Sequence, residues 1–196
     1  MERKPPIRLF KCCVQLILED VPGGGTVAKA DFKSSSLIMK EGSLLSADTD
    51  GIYHLTKTAR LWTGAASGDT SLKIYKEHEF KASDILINSL KTGTSRTILS
   101  VDESSFSYDI LALDQPLNIA LVPGAVLIEV TESEKSGDNA LLKYPPVAVS
   151  ILEAPISLQK ANTGCGLLVR GRVKEELLPY PIDDSLKVML PLIRFV

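Results

Sequence analysis

Apolar residues in this chain fall in runs of about five to eight, closed by Gly, Pro or Asp-Gly, a spacing that suits strands and leaves little room for helices of about 10–14 residues. The clearest runs lie in the last third. Residues 146–154 and 166–175 are β-branched or leucine-rich and read as two strands flanking a loop that contains Asn162-Thr163-Gly164. Earlier strands are expected over residues 8–18, 26–32, 58–63, 71–75, 97–101 and 108–113. Asp48-Thr49-Asp50-Gly51 before Ile52-Tyr53-His54-Leu55 reads as a hairpin turn feeding another.

Helix is scarce in this pattern. Residues 175–178 provide one turn before Pro179, and residues 183–190 a short helix with Asp183 or Asp184 as cap and Leu186, Met189 and Leu190 as its apolar stripe. Residues 192–196 then form a closing strand or tail. The predicted fold is mainly β: a small β-barrel or β-sandwich body, a short C-terminal helix and an extended N-terminal arm.

The punctuation divides the chain. Gly23-Gly24-Gly25 reads as a hinge that separates an arm, residues 1–22, from a body, residues 23–196, with a candidate inserted subdomain at about 60–140. Small residues at Gly42, Ser83 and Gly124, each ahead of an apolar pair, stand at equal separations of 41 residues (42 to 83, 83 to 124). They suit either three related β units or the turns that any barrel requires.

With 196 residues, 44% of them hydrophobic, the chain can bury a real core. A net charge of −2 provides no positive field for nucleic acid, and no run approaches the ~18 apolar residues of a membrane span. Val14-Gln15-Leu16-Ile17-Leu18, although preceded by Arg and Lys, is too short for a secretory signal and is closed by Glu19-Asp20. Cys12, Cys13 and Cys165 form no CxxC pair, as expected of reduced thiols in a protein made in a cytoplasm.

Candidate chemistry is sparse, and no enzyme and no cofactor are expected. His54 and His78 lack partners at ligand spacing, and the carboxylates of Glu77 and Glu79 would point away from the His78 ring in a strand. Cys165, between two glycines, lacks a neighbouring base. Catalysis would require one of these three to meet a partner in space. Arg170 and Arg172 carry more promise for binding, because they share a face of a strand while Gly171 admits a close backbone approach. Paired guanidiniums grip carboxylates, so Arg170-Gly171-Arg172 is a candidate partner site. Val14, Leu16 and Leu18 form a second, as one face of a strand added to a neighbouring subunit.

Lys40-Glu41-Gly42-Ser43-Leu44-Leu45 followed by Asp50-Gly51-Ile52-Tyr53, residues 146–154 and 169–178, and the ending Leu190-Pro191-Leu192-Ile193-Arg194-Phe195-Val196 together resemble head fibre and capsid decoration proteins of tailed bacteriophages. The likeness runs from residue 37 to 196 in short pieces; the long segment at 60–140 and the arm depart from it. The resemblance implies a non-enzymatic virion protein, synthesised in the bacterial host cytoplasm and seated on the capsid exterior. Its partners would be the major capsid protein and copies of itself, often as a trimer. The alternative is a non-catalytic β module binding glycans or another surface ligand. Its cue would be an exposed aromatic platform, for which Trp62 is the one tryptophan available.

Overall fold

The computed structural model describes residues 12–135, 140–156 and 162–196 and is mainly β. Its strands are β1 (Val14–Asp20), β2 (Gly25–Ala28), β3 (Ile38–Met39), β4 (Leu44–Ala47), β5 (Ile52–Leu55), β6 (Thr58–Arg60), β7 (Ser71–Ile74) and β8 (Ile85–Ile87). There follow β9 (Arg96–Asp102), β10 (Asp109–Leu113), β11 (Val126–Val130), β12 (Ala148–Ser150), β13 (Ala154–Pro155), β14 (Asn162–Cys165), β15 (Leu167–Val173) and β16 (Ile193–Phe195). The one α-helix among the described residues, α1 (Asp184–Val188), is capped by the Asp183 carboxylate, which accepts from the Leu186 amide at 3.0 Å.

Strands β6 to β11 are contiguous in the chain and form a six-stranded antiparallel sheet in the order β6-β11-β8-β9-β10-β7. The sheet closes on itself. The Tyr75 amide donates to the Arg60 carbonyl at 2.9 Å and the Trp62 amide to the Lys73 carbonyl at 2.8 Å, joining the end of β6 to β7. Closure removes the open edges, and the interior is filled by Leu61, Leu72, Ile74, Phe80, Leu86, Ile98, Leu111 and Leu127.

The remaining long strands build an eight-stranded curled sheet ordered β1-β15-β12-β4-β5-β2-β14, with β16 parallel to β15. One apolar cluster includes Leu44, Val149, Leu168 and Val173 of this sheet, Ile87, Ile128 and Val130 of the barrel strands, and Leu186 and Leu190 near the C-terminus. That shared core is what fixes the barrel to the sheet.

The three small-residue turns have one geometry. Gly42, Ser83 and Gly124 all take a positive φ, of 84°, 73° and 85°. In each the following residue's amide bonds the carbonyl three positions back, at 3.3, 3.2 and 3.2 Å. Each turn also exchanges a reciprocal pair of backbone bonds with one residue of an adjoining strand or strand end: Ser150, Ile98 and Leu61 respectively.

Two expectations require correction. Asn162-Thr163-Gly164 is not a loop: it forms β14, paired with β2 from Asn162↔Ala28 to Cys165↔Gly25, because the exposed edge of β2 supplies backbone partners that outweigh poor strand propensity. Nor is the triple glycine a loose hinge. Gly24 closes a turn onto the Val21 carbonyl, and its α-carbon is pressed against the Cys165 carbonyl with φ 71°.

The arm differs as well. Residues 1–11 lie outside the described residues, but Val14–Asp20 is the edge strand β1, paired antiparallel to β15 of its own chain. One side of β1 thus has its hydrogen-bond partners within the chain, and the other side is an edge.

Candidate ligand-binding face

Strict alternation along the barrel strands decides which side chains face outward. Leu61, Leu72, Ile74 and Leu111 point into the barrel, so Arg60, Trp62, Lys73, Tyr75, Tyr108 and Ile110 point away from it. Barrel closure sets Arg60 beside Tyr75 and Trp62 beside Lys73, and the register Asp109↔Ile74 and Ile110↔Lys73 carries Tyr108 to the level of Tyr75. Two rows result: Arg60, Tyr75, Tyr108, and beside it Trp62, Lys73, Ile110.

The rings touch. Trp62 meets Tyr75 edge-on with centroids 4.7 Å apart, and lies 6.5 Å from Tyr108. The Lys73 ammonium stands 4.9 Å over the Tyr108 ring. Trp62 and Tyr75 remain 38% and 43% exposed, and Phe106 in the neighbouring loop is fully exposed. A cleft of about 600 Å³ opens from this face, walled on the barrel side by Arg60, Tyr75 and Ser107 and on the other by Glu175 and Pro179-Tyr180-Pro181.

The carboxylates of the cleft are engaged by lysines of the chain. Glu77 pairs with Lys40 at 3.1 Å, Glu175 with Lys187 at 2.9 Å and Glu176 with Lys174 at 2.6 Å. No carboxylate among the described residues lies within ion-pair distance of Arg60 or Lys73. The face therefore combines aromatic surface with two cations that no carboxylate among the described residues engages.

Ligand atoms of His78, Glu103 and Asp109 fall within 4.8 Å of one another, the spacing of a metal site. Their hydrogen bonds argue otherwise. The His78 Nδ1 accepts from the Phe80 amide at 3.1 Å, which leaves Nε2 to donate to Asp109 at 2.9 Å. Lys76 reaches the other Asp109 oxygen at 2.6 Å and Lys33 holds Glu103 at 2.7 Å. A cation there would have to displace two ammonium groups and break both imidazole bonds. Burial, with the Lys33 charge second, pushes His78 down to about 4. Its neighbours turn elsewhere: Glu77 to Lys40, Glu79 to Ser36, Tyr180 and the Lys33 amide.

Neither of the other residues weighed for catalysis gains a free reactive atom. His54 has Asp31 2.9 Å from Nδ1, Asp48 3.2 Å from Nε2 and the Tyr144 ring stacked at 4.2 Å, so both nitrogens are occupied. Cys165 is half-buried in β14, and burial pushes its thiol up to about 11. A third network is structural: buried Lys57 bridges Asp84 at 2.7 Å and Glu129 at 3.3 Å where β5 gives way to β6, and Lys143 closes on Glu129 at 2.8 Å.

Arg170 and Arg172 lie exposed on one face of β15, with Gly171 buried between them. The backbone that approaches Gly171 is that of Leu16 in the same chain, so β1 and the arginines form one edge region of the eight-stranded sheet. On β1, Val14 is half-buried, and Leu16 and Leu18 are exposed at 43% and 60%. Sequence reasoning missed Arg60, Tyr75 and Tyr108. The alternation Ala59-Arg60-Leu61-Trp62 and Leu72-Lys73-Ile74-Tyr75 places them outward, but only the closure of β6 on β7 brings them together. In comparison with known proteins, no family model, no curated protein and no solved structure matches the chain.

Proposed function

We propose that the chain is a non-catalytic virion surface protein, a head fibre or decoration protein that binds the outside of a capsid lattice. The observation that carries this reading is β1. It is an edge strand whose outer side pairs with no strand among the described residues, and it exposes Leu16, Ile17 and Leu18 in succession, on both of its faces. An unpaired apolar edge is a template for another chain's backbone. Arg170 and Arg172 beside it add charge-assisted grip for carboxylates of the major capsid protein or of a second copy. The resemblance of residues 37–196 to phage head proteins supports the same reading. Co-sedimentation of the purified protein with capsids tests it. Binding that weakens in an Arg170→Ala, Arg172→Ala double variant is the expected result, and capsids that leave the protein in the supernatant would refute it.

A second reading, a module that binds a surface ligand, is favoured by the aromatic face of Trp62, Tyr75 and Tyr108. The two are compatible in space, because the arginines belong to the eight-stranded sheet and the aromatic face to the barrel.

A further inference from the structure

We infer that the aromatic face and its cleft bind a carboxylate-bearing saccharide, of the uronic or sialic acid class, with Arg60 holding the carboxylate and Trp62 and Tyr75 stacking on the sugar ring. The inference rests on the surface-ligand reading and gives it a ligand chemistry.

Three observations select this ligand. The first is the exposed rings themselves. The C–H face of a pyranose is apolar and carries partial positive charge, and it packs against the electron-rich face of an indole or phenol; Trp62 and Tyr75, set edge-on to each other and half-exposed, point away from the barrel core and offer such surface to solvent. The second is the charge balance. Glu77, Glu175 and Glu176 each have a lysine of this chain, while Arg60 has no carboxylate among the described residues. The cleft thus offers one planar guanidinium whose fork matches a carboxylate in two parallel bonds. The third is shape. At about 600 Å³ the cleft suits one or two sugar rings, and Ser107 and Tyr75 supply hydroxyls on the same wall for hydrogen bonds to a polyol. Lys73 lies over Tyr108 and extends the positive character along the adjacent row, so a longer acidic chain would continue past Trp62.

Trp62, the only tryptophan of the chain, touches Tyr75 of the cleft wall and so serves as a reporter for the site. The full-length protein is screened against an array of neutral, uronate-bearing and sialylated oligosaccharides, and members that bind are titrated in solution while Trp62 fluorescence is followed. Binding confined to the carboxylated members is expected. It should weaken roughly tenfold or more for the carboxyl-reduced counterpart, and likewise in Arg60→Ala, with Arg60→Lys recovering only part. Tyr75→Ala should weaken binding as well, and Arg170→Ala with Arg172→Ala should leave it unchanged. Arg60 and Tyr75 are surface residues, so melting temperatures of these variants should match the parent and separate lost binding from lost fold. Preference for neutral members overturns the acidic assignment and leaves the surface-ligand reading standing. Equal binding of a polyglutamate peptide overturns the saccharide assignment, and binding to no member overturns both.

Discussion

The carbonyl of Leu16 lies against the α-carbon of Gly171, closer than any side chain at that position would tolerate. This contact lets β1 lie flush on β15, and it explains why the residue between two exposed arginines is a glycine. Gly171→Ala should therefore force β1 away, at a cost of ~1–3 kcal/mol. A drop in melting temperature, together with faster amide exchange in residues 14–20 than in the barrel, is the expected readout; unchanged exchange there would show that the strands do not depend on the contact.

Ser83 is the one member of the three equivalent turns that is not glycine, and it holds a φ of 73°. A left-handed backbone costs an L-residue ~1–2 kcal/mol, partly offset by the ~0.5–1 kcal/mol of extra entropy that glycine loses on folding. Ser83→Gly should stabilise the protein by about 0.5–1 kcal/mol. Gly124→Ala, where a methyl meets nothing within 4 Å but φ is 85°, should destabilise by a similar amount. Denaturant melts of the two variants check both signs.

His78 makes stability depend on pH. Its folded value of about 4 lies below the ordinary 6.5, so between those values the unfolded chain carries a proton that the folded chain refuses, with Asp109, Lys33 and Glu103 facing the ring. The stabilisation is complete above pH 6.5 and is lost as the pH falls toward 4, to the extent of about 3 kcal/mol. His78→Gln should flatten melting temperature against pH across that window. An unaltered slope would assign the acid sensitivity to other groups.

Lys57 is buried between Asp84 and Glu129, and burial already raises the Glu129 carboxyl despite the ammonium beside it. Lys57→Met should cost ~3–5 kcal/mol at neutral pH, because two buried carboxylates lose the ammonium between them and keep only partial compensation, from Lys143 at Glu129 and the Lys81 amide at Asp84. The sign with pH is opposite to that of His78. A raised carboxyl binds its proton more readily folded than unfolded, so the deficit should shrink as the pH falls and Glu129 is neutralised. Parallel melts of parent and variant from pH 7 to 5 would show the gap closing.

Much of the β character was legible because it is local. The runs at 71–75, 97–101, 108–113 and 166–175, Asp50-Gly51 and the Asp183 cap each act within a few residues, and each appears in the structure as the pattern implied, whereas residues 146–154 split into β12 and β13 of different sheets. The turns at Gly42, Ser83 and Gly124 were visible as a spacing, but their shared bonding to Ser150, Ile98 and Leu61 was not, since those partners come from distant strands. Asn162-Thr163-Gly164 misled for the same reason: its composition favours a loop, and the deciding term is a partner strand more than 130 residues earlier in the chain. The candidate face was least legible. Arg60, Trp62, Tyr75 and Tyr108 lie at the ends of three strands, and a register set by backbone bonds, not by any motif, aligns them.

The pairing of β6 with β11 sets Thr58 opposite Ile128, so the chain enters the barrel and leaves it at adjacent points. Topologically the barrel hangs on the larger sheet by a two-strand stem, and a foreign domain grafted there needs termini only a strand spacing apart. Such a graft must also reproduce Ile87, Ile128 and Val130, whose side chains are the socket into which Leu44, Val149 and Leu186 fit. Within that rule, substitutions at Arg60, Trp62 and Tyr75 leave the socket untouched, because none of those side chains belongs to the shared core.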